Sequence, residues 1–239
     1  MKAIPLHIGY EHECDYIPDN QARMAYVSPR VPLDKSVYTR LVANGFRRSG
    51  DLVYRPYCAE CSACLPVLIP VPRFSPNRAQ RRVLKANADL RVVEKPGEFD
   101  ERHFLLYKRY LESRHGHGSM ATSTEAEYLQ FLGSRWGEVG FFEFLAGENL
   151  LAVAVIDLLE SGLSAVYTFY EPEETTRGLG TFAVLWQIDE ARRRGLPWVY
   201  LGFWISACRK MAYKGNFRPL EVLVGSEWVT VEKGDSVTV

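Results

Sequence analysis

The feature that most constrains the fold lies between residues 139 and 203. Three apolar runs, Val139 to Leu145, Leu150 to Leu158 and Leu163 to Tyr170, are separated only by Gly147-Glu148-Asn149 and Glu160-Ser161-Gly162. Connections this short join antiparallel neighbours, so the runs form a meander. The third run leads into Arg177-Gly178-Leu179-Gly180-Thr181, then a helical stretch ending Arg192-Arg193-Arg194-Gly195, then a last buried run, Trp198 to Phe203. Cations at that helix end meet its negative pole, and Gly195 supplies the C-terminal cap. Strand, helix and strand in succession require a crossover, which leaves the two strands parallel. The chain must therefore hold a mixed sheet with a parallel pair beside an antiparallel meander.

Two helices precede the meander. Asp100 caps one that runs through Arg114, with Phe104, Tyr107 and Leu111 on its buried stripe. Thr124-Glu125-Ala126-Glu127 is a capping box that opens the second, turning Tyr128, Phe131 and Leu132 inward. Two helices, a meander, a glycine turn at a helix start and a parallel strand make an α/β (α+β) chain with an acetyltransferase-like (GNAT) layout over residues 98–239. Up to Pro96-Gly97 the text is irregular, with Pro66, Pro70, Pro72 and Pro76 around one strand, Val67 to Val71. Residues 1–97 are expected to form a small, loop-rich, cysteine-containing domain, and at 239 residues and 47% hydrophobic the chain can supply both cores.

No run of eighteen apolar residues occurs, and Met1 to Tyr10 lacks the apolar stretch of a signal peptide, so a soluble cytoplasmic protein with no membrane partner is expected. An odd count of five cysteines argues against a secreted disulfide framework. Cys58, Cys61 and Cys64 are spaced to share one ion or cluster, with Cys14 the candidate fourth ligand. Two readings fit: a zinc or iron-sulfur centre, or reduced thiols packing a small core. Cys208 is assigned to packing, and His115 and His117, flanking Gly116 in a turn, are not expected to bind metal.

Formal net charge is zero, from 29 basic and 29 acidic residues, so bulk charge draws no nucleic acid to the protein. Its distribution is uneven, however, and cations outnumber acids between Arg40 and Lys95. Ser75-Pro76 reads as the cap and first position of a helix over Asn77 to Ala88, which places Arg78, Arg81, Arg82 and Lys85 on one face. That face is either solvated or a phosphate contact strip. The glycine turn at Arg177 to Thr181 is a plain tight turn or an anion cradle. In acyl-CoA transferases Arg or Gln, then Gly, then Gly or Ala take the places held here by Arg177, Gly180 and Phe182, and a phenylalanine at the last place argues against CoA. From Tyr200 to Glu221 aromatics alternate with Arg209, Lys210, Lys214 and Arg218, a pattern of core or of a pocket edge.

Cys14-Asp15-Tyr16-Ile17-Pro18 with Ala22-Arg23, GFRRSG (Gly45 to Gly50) and YRPYCAECSAC (Tyr54 to Cys64) resemble the amino-terminal half of arginyl-tRNA-protein transferases. YKRYLESRHGHGSM (Tyr107 to Met120), LSAVYTFYEPE (Leu163 to Glu173), RGLGTFAVLWQIDEAR (Arg177 to Arg192) and YLGFWISACRKMAYKGNFRPLE (Tyr200 to Glu221) resemble its carboxy-terminal domain, in the same order. The short bacterial members are the aspartate/glutamate leucyltransferase type. That resemblance implies a GNAT-like domain that takes leucine from leucyl-tRNA to the free α-amine of proteins beginning with Asp or Glu, marking them for N-degron degradation. It also implies that Arg78, Arg81, Arg82 and Lys85 meet tRNA. Eukaryotic relatives are associated with an iron-sulfur centre held by two cysteine pairs; here Cys14 and a triplet stand instead.

Aminolysis of an ester needs neither ATP nor metal, and an α-amine with a pKa of about 8 is already on the order of a tenth neutral at pH 7. What remains is positioning, stabilising the oxyanion and returning a proton to the ribose oxygen. We assign the oxyanion or tRNA 3′ end to Arg177 and the turn containing Gly180, and proton handling to Tyr213 or Glu143. Lys210, Lys214 and Arg55 are candidates for the acidic first residue. Tyr167, Phe169 and Trp204 are candidates for an apolar wall against leucine. An arginyl donor, a CoA-dependent N-acetyltransferase and a zinc-dependent nucleic-acid-binding module are the alternatives.

Overall fold

The structure is a computed structural model and describes residues 4–115, 124–232, 234 and 235. His117 and the side chain of His115 lie outside the described residues.

The first part of the chain forms β1 (Leu6–Ile8), β2 (His12–Glu13), β3 (Gln21–Ala22), β4 (Met24–Val27), α1 (Lys35–Ala43), β5 (Arg47–Ser49), β6 (Leu52–Pro56), β7 (Leu65–Pro70), α2 (Arg78–Ala86) and β8 (Arg91–Pro96). There follow α3 (Glu101–His115), α4 (Glu125–Leu132), β9 (Val139–Ala146), β10 (Asn149–Leu158), β11 (Gly162–Tyr170), α5 (Leu179–Arg193), β12 (Trp198–Trp204) and α6 (Arg209–Ala212). Two 3-10 turns, Val71–Arg73 and Tyr213–Asn216, and the hairpin β13 (Leu220–Val224) and β14 (Glu227–Val231) complete the described elements.

Eight strands form one mixed sheet in the order β14-β13-β7-β12-β11-β10-β9-β8. Among the described residues its only parallel pair is β11 with β12, and β9 to β11 are the meander read from the short turns. Side chains alternate across a strand, so the two faces of this sheet build separate cores. On one face Val67, Ile69, Ala152, Ala154, Val199 and Leu201 pack beneath α5. On the other, Phe141, Val153, Val155 and Phe169 meet α3 and α4, while Leu68 and Tyr200 meet Tyr38, Leu41 and Val42 of α1.

Residues read as loop-rich instead contain a four-stranded antiparallel sheet, β1-β4-β6-β5, and the hairpin β2-β3. Strands of two to five residues, such as Arg47-Arg48-Ser49, are too short and too polar to show a period of two. Residue 97 falls between β8 and α3, yet β7 and β8 are members of the same sheet as β9 to β12. α2 starts two residues later than read from Ser75-Pro76. Asn77 accepts the Gln80 N–H (3.0 Å) and Gln80 Oε1 accepts the Asn77 N–H (2.8 Å), a reciprocal cap that satisfies two donors at once. The caps at Asp100 and at Thr124-Glu127 form where the sequence placed them.

A buried ion pair ties the small sheet to the large one. Arg48 Nε donates to Asp157 Oδ1 (2.7 Å) while its terminal nitrogens donate to the carbonyls of Leu132 (2.9 Å) and Gly133 (2.7 Å). Tyr38 Oη donates to the other Asp157 oxygen (2.9 Å), so both buried charges are compensated.

Candidate active site

β11 and β12 pair only from Gly162↔Trp198 to Ser164↔Tyr200, and beyond that register the two strands separate. The opening holds Arg47 of β5. One terminal nitrogen donates to Ser164 Oγ (2.7 Å) and the other to the Ala165 carbonyl, the first backbone acceptor past the last paired residue. Gly202 of β12 lies against the same guanidinium; a Cβ there would stand 2.9 Å from Arg47 Nε and 3.2 Å from Cζ. Its φ of +75° also favours glycine, at the register shift between β12 and β7.

Around this opening stand Tyr170, Tyr213 and Lys214. Tyr213 is 43% exposed, but burial of its hydroxyl end and the neighbouring Tyr170 push the phenol above its ordinary range, with Arg47 acting in the opposite sense. Lys214 is 6% exposed, and Nζ donates to the Phe203 carbonyl (2.6 Å). Burial pulls its pKa down to about 7; Arg47 adds to the fall, while Cys64 and Cys208 oppose it. Tyr170 lies against the start of α5, where a Cβ on Gly180 would come 3.2 Å from its ring. Gly178 at the N-cap has φ +63°, which lets the chain enter the helix directly from the preceding turn. Thr181, Tyr213, Gln80, Val83 and Asn216 line a cleft of about 670 Å³ between α2, α5 and the 3-10 turn over Tyr213–Asn216.

The remaining sequence-derived site residues divide sharply. Arg177 does not face that cleft as a free cation: it donates to both oxygens of Asp89 (2.8 and 3.0 Å) and to the Ala86 carbonyl (3.1 Å), and pairs with Glu174 (3.3 Å). It joins the turn to α2. Glu143 is buried and accepts from Arg102 (2.6 Å), with His103 Nε2 at 2.8 Å from the same oxygen, two strands away from β12's partner β11. Asp100, His103 and Glu143 bring ligand atoms within 4.8 Å of one another, but Arg102 already supplies the cation between the two carboxylates. Phe169 is fully buried under α3 and α4 with Tyr167 beside it, whereas Trp204 belongs to the core on the opposite face. The three therefore form no single wall. Phe182 points into that opposite core against Phe144, with ring centroids 5.5 Å apart, so it does not screen the glycine turn from a ligand.

Arg78, Arg81, Arg82 and Lys85 are all exposed on α2 and form no ion pair among the described residues. Arg81 donates back to the Pro76 carbonyl (2.6 Å). Lys210 is exposed at the start of α6. Arg55 lies over the Phe46 ring at 5.1 Å and lines a second cleft of about 360 Å³. Cys14, Cys58, Cys61 and Cys64 all line this second cleft and are half-buried free thiols. Burial and the other three cysteines push the Cys64 thiol up to about 12. Cys208 is buried, in keeping with packing.

Arg47 was not among the sequence candidates. GFRRSG shows two adjacent arginines, but only the pairing of β5 with β6 shows that they leave opposite sides of a strand. Gly202 inside the buried run YLGFW is the one signal in the text that a side chain comes close there.

The fold and site are those of a mixed α/β chain whose one large sheet opens at its parallel pair beside a glycine helix turn. Family models described as arginine-tRNA-protein transferase, N terminus and C terminus, match residues 12–82 and 102–224, and the chain belongs to that family. It is 52% identical over 220 residues to an aspartate/glutamate leucyltransferase of Pseudomonas putida (strain W619), covering 92% of this chain and 94% of that one. A relative of the same description from Pseudomonas fluorescens (strain SBW25) is 51% identical over the same shares. Among solved structures, the C-terminal domain of a putative lysylphosphatidylglycerol synthetase from Agrobacterium fabrum is similar at a TM-score of 0.49 and 14% identity, covering 69% of this chain and 61% of that one. Among the described residues, no helix is long and apolar enough to cross a membrane.

Proposed function

We propose that this protein transfers leucine from leucyl-tRNA to the α-amine of proteins beginning with Asp or Glu, placing them on an N-degron route, and that its catalytic sheet is of GNAT type. The observation that carries the reading is the near-complete match to relatives described as aspartate/glutamate leucyltransferases. The opened β11–β12 pair supports the fold assignment, because strands that part at their ends leave backbone and side chains free for a substrate. The α2 face supports the donor: four exposed cations without carboxylate partners keep their charge for phosphates, beside a cleft that reaches Thr181 and Tyr213.

Within this reading the acceptor amine attacks the aminoacyl carbonyl and the terminal ribose oxygen leaves. The N–H groups opening α5 face the developing oxyanion, a task helix N-termini serve through their unpaired donors. Tyr213, whose phenol stays protonated through neutral pH, gives its proton to the leaving ribose oxygen and takes one back from the nitrogen that has attacked, so the phenol ends as it began. Cys14, Cys58, Cys61 and Cys64 line one cleft and thiolates are ligands for zinc or an iron-sulfur centre, but among the described residues only Asp100, His103 and Glu143 bring ligand atoms together, so the four sulfurs would have to draw closer to hold such a centre. Such a centre would fix the N-terminal segment covalently. Purified protein should then carry about one equivalent of zinc or an iron-sulfur absorption, and a metal-free protein that remains folded and active would reject it.

The function is tested by incubating the protein with labelled leucyl-, arginyl- and phenylalanyl-tRNA and peptides beginning Asp, Glu, Arg or Ala. Leucine should pass only to Asp and Glu peptides. Transfer from acetyl-CoA without tRNA, or RNA binding without transfer, would overturn the reading.

A further inference from the structure

We propose that Arg47 is the cation that receives the carboxylate of the acceptor's first residue, so that acid specificity is supplied by the N-terminal segment at the centre of the catalytic sheet. The inference rests on the functional reading above and adds to it the residue that selects the acceptor.

A carboxylate leaving water needs a charged donor, and a receptor for it must be partly desolvated yet lack a carboxylate of its own. Four cations come under consideration. Lys210 is exposed on α6. Lys214 is enclosed and spends Nζ on the Phe203 carbonyl. Arg55 stacks on Phe46 in the cysteine cleft. Arg47 alone of these is half-buried in the opening between β11 and β12.

The contacts of Arg47 hold it without neutralising it. Ser164 and Ala165 offer a hydroxyl and a carbonyl, both neutral, and among the described residues no carboxylate lies within ion-pair distance. Two of the five N–H donors of a guanidinium are engaged, which leaves three for an incoming group. Its charge is felt by the groups on every side: it adds to the fall that burial imposes on Lys214 and works against the rise that burial imposes on Tyr38, Tyr54 and Tyr213. A cation whose field reaches the proton-bearing side chains of the site, with nothing to balance it, is completed by an anion from the substrate. Apart from the tRNA phosphates, the permanent anion that the reaction must place near the attacking amine is the Asp or Glu side chain, a few bonds from it.

The position also accounts for both acceptors. Gly202 gives up its side chain to make room for the guanidinium, and Ser164 and Ala165 fix its two terminal nitrogens, so the fork is rigid before substrate arrives. A fixed planar fork meets a carboxylate on either a short or a longer stem, whereas it leaves Asn and Gln without a countercharge.

The test compares Asp-, Glu-, Asn- and Gln-starting peptides with the unmodified protein, Arg47→Met and Arg47→Lys, using leucyl-tRNA as donor. For Arg47→Met, kcat/KM on Asp and Glu peptides should fall on the order of a hundredfold to a thousandfold, as expected for removing one partner of an enclosed charge pair, while the Asn and Gln values barely move. The acid-over-amide preference should approach one, with leucyl-tRNA affinity unchanged. Arg47→Lys keeps the charge but loses the fork; KM for acidic peptides should rise about tenfold at near-normal kcat. Equal loss on acidic and amide peptides, or a preserved preference, would show that Arg47 only holds the strands and would overturn the proposal. Should Arg47→Met fail to fold, an unchanged KM of Arg47→Lys for acidic peptides overturns it by itself. If the unmodified protein moves no leucine to any peptide, it is the functional reading that falls.

Discussion

Lys214→Met should make the protein less dependent on pH between 7 and 9, and the size of the change follows from where the amine sits. An exposed lysine titrates near 10.5, but here burial pulls the folded value down to about 7. In that interval the unfolded chain keeps this proton and the folded chain sheds it, so unfolding takes up protons and stability rises with pH. The penalty for enclosing the ammonium is complete below about pH 7, shrinks as pH rises, and is gone above the unfolded value. At pH 7 the folded amine is about half protonated, and by pH 9 it is almost wholly neutral; integrating gives the unmodified protein about 2 kcal/mol between those two points. Methionine carries no proton at that position, so the variant lacks this gain. Methionine cannot donate to the Phe203 carbonyl, whereas the lysine amine can in either protonation state, so the lost bond sets the absolute gap between the two proteins but not its slope. Urea unfolding of the two proteins at pH 7, 8 and 9 reads the difference directly. The unmodified protein should gain on Lys214→Met by about 2 kcal/mol across the series. Parallel profiles would mean that the amine titrates as an exposed lysine and is not enclosed as described.

Three further outcomes are expected. Arg48→Met leaves Asp157 buried at 2% exposure with only Tyr38 as donor, and should cost about 3–5 kcal/mol in urea unfolding; a loss under about 1 kcal/mol would mean the pair is not desolvated. Changing Arg78, Arg81 and Arg82 together to glutamine should weaken leucyl-tRNA binding and lower its salt slope by up to about three phosphate contacts, and an unchanged slope returns the face to plain solvation. Gly202→Ala forces a side chain into a backbone at φ +75° and against Arg47 Nε at 2.9 Å, so it should lose about 1–2 kcal/mol of stability together with acceptor preference, read by unfolding and by the Asp-to-Asn transfer ratio.

What the sequence made legible was whatever is written locally. Short turns announced the meander, the strand-helix-strand succession required the parallel pair, and Thr124 with Glu127 announced a cap, because each signal and its cause lie within a few residues. The grouping of Cys14 with the triplet was legible from spacing and chain segment, and the four do share a cleft. The small sheet was not, since Arg47-Arg48-Ser49 carries no apolar alternation. Arg177 misled for a related reason: its place in a glycine turn suggested a free cation, but the partner that occupies it, Asp89, lies 88 residues earlier. The apolar wall failed because neighbours in sequence strands need not share a face, and Trp204 lies across the sheet from Tyr167 and Phe169.

The two arginines of β5 explain why the N-terminal segment cannot be treated as an appendage. Adjacent residues of a strand point to opposite sides, so a three-residue strand can do two different things with two identical side chains. Arg48 is spent on Asp157 of β10 and on the carbonyls that end α4, a fully satisfied network whose disruption is costly on either side. That network fixes β5 against the meander, and fixing β5 fixes the root of Arg47. From there the second guanidinium reaches Ser164 and Ala165, 117 and 118 residues on, at the point where β11 and β12 part. The buried pair thus holds rigid the strand from which the unbalanced cation is presented, and a cation that must wait uncompensated for a substrate needs such a rigid base, since a mobile one would turn to water or to a nearby carboxylate. The stability of the first sheet and the charge at the opening of the second are, on this geometry, one arrangement.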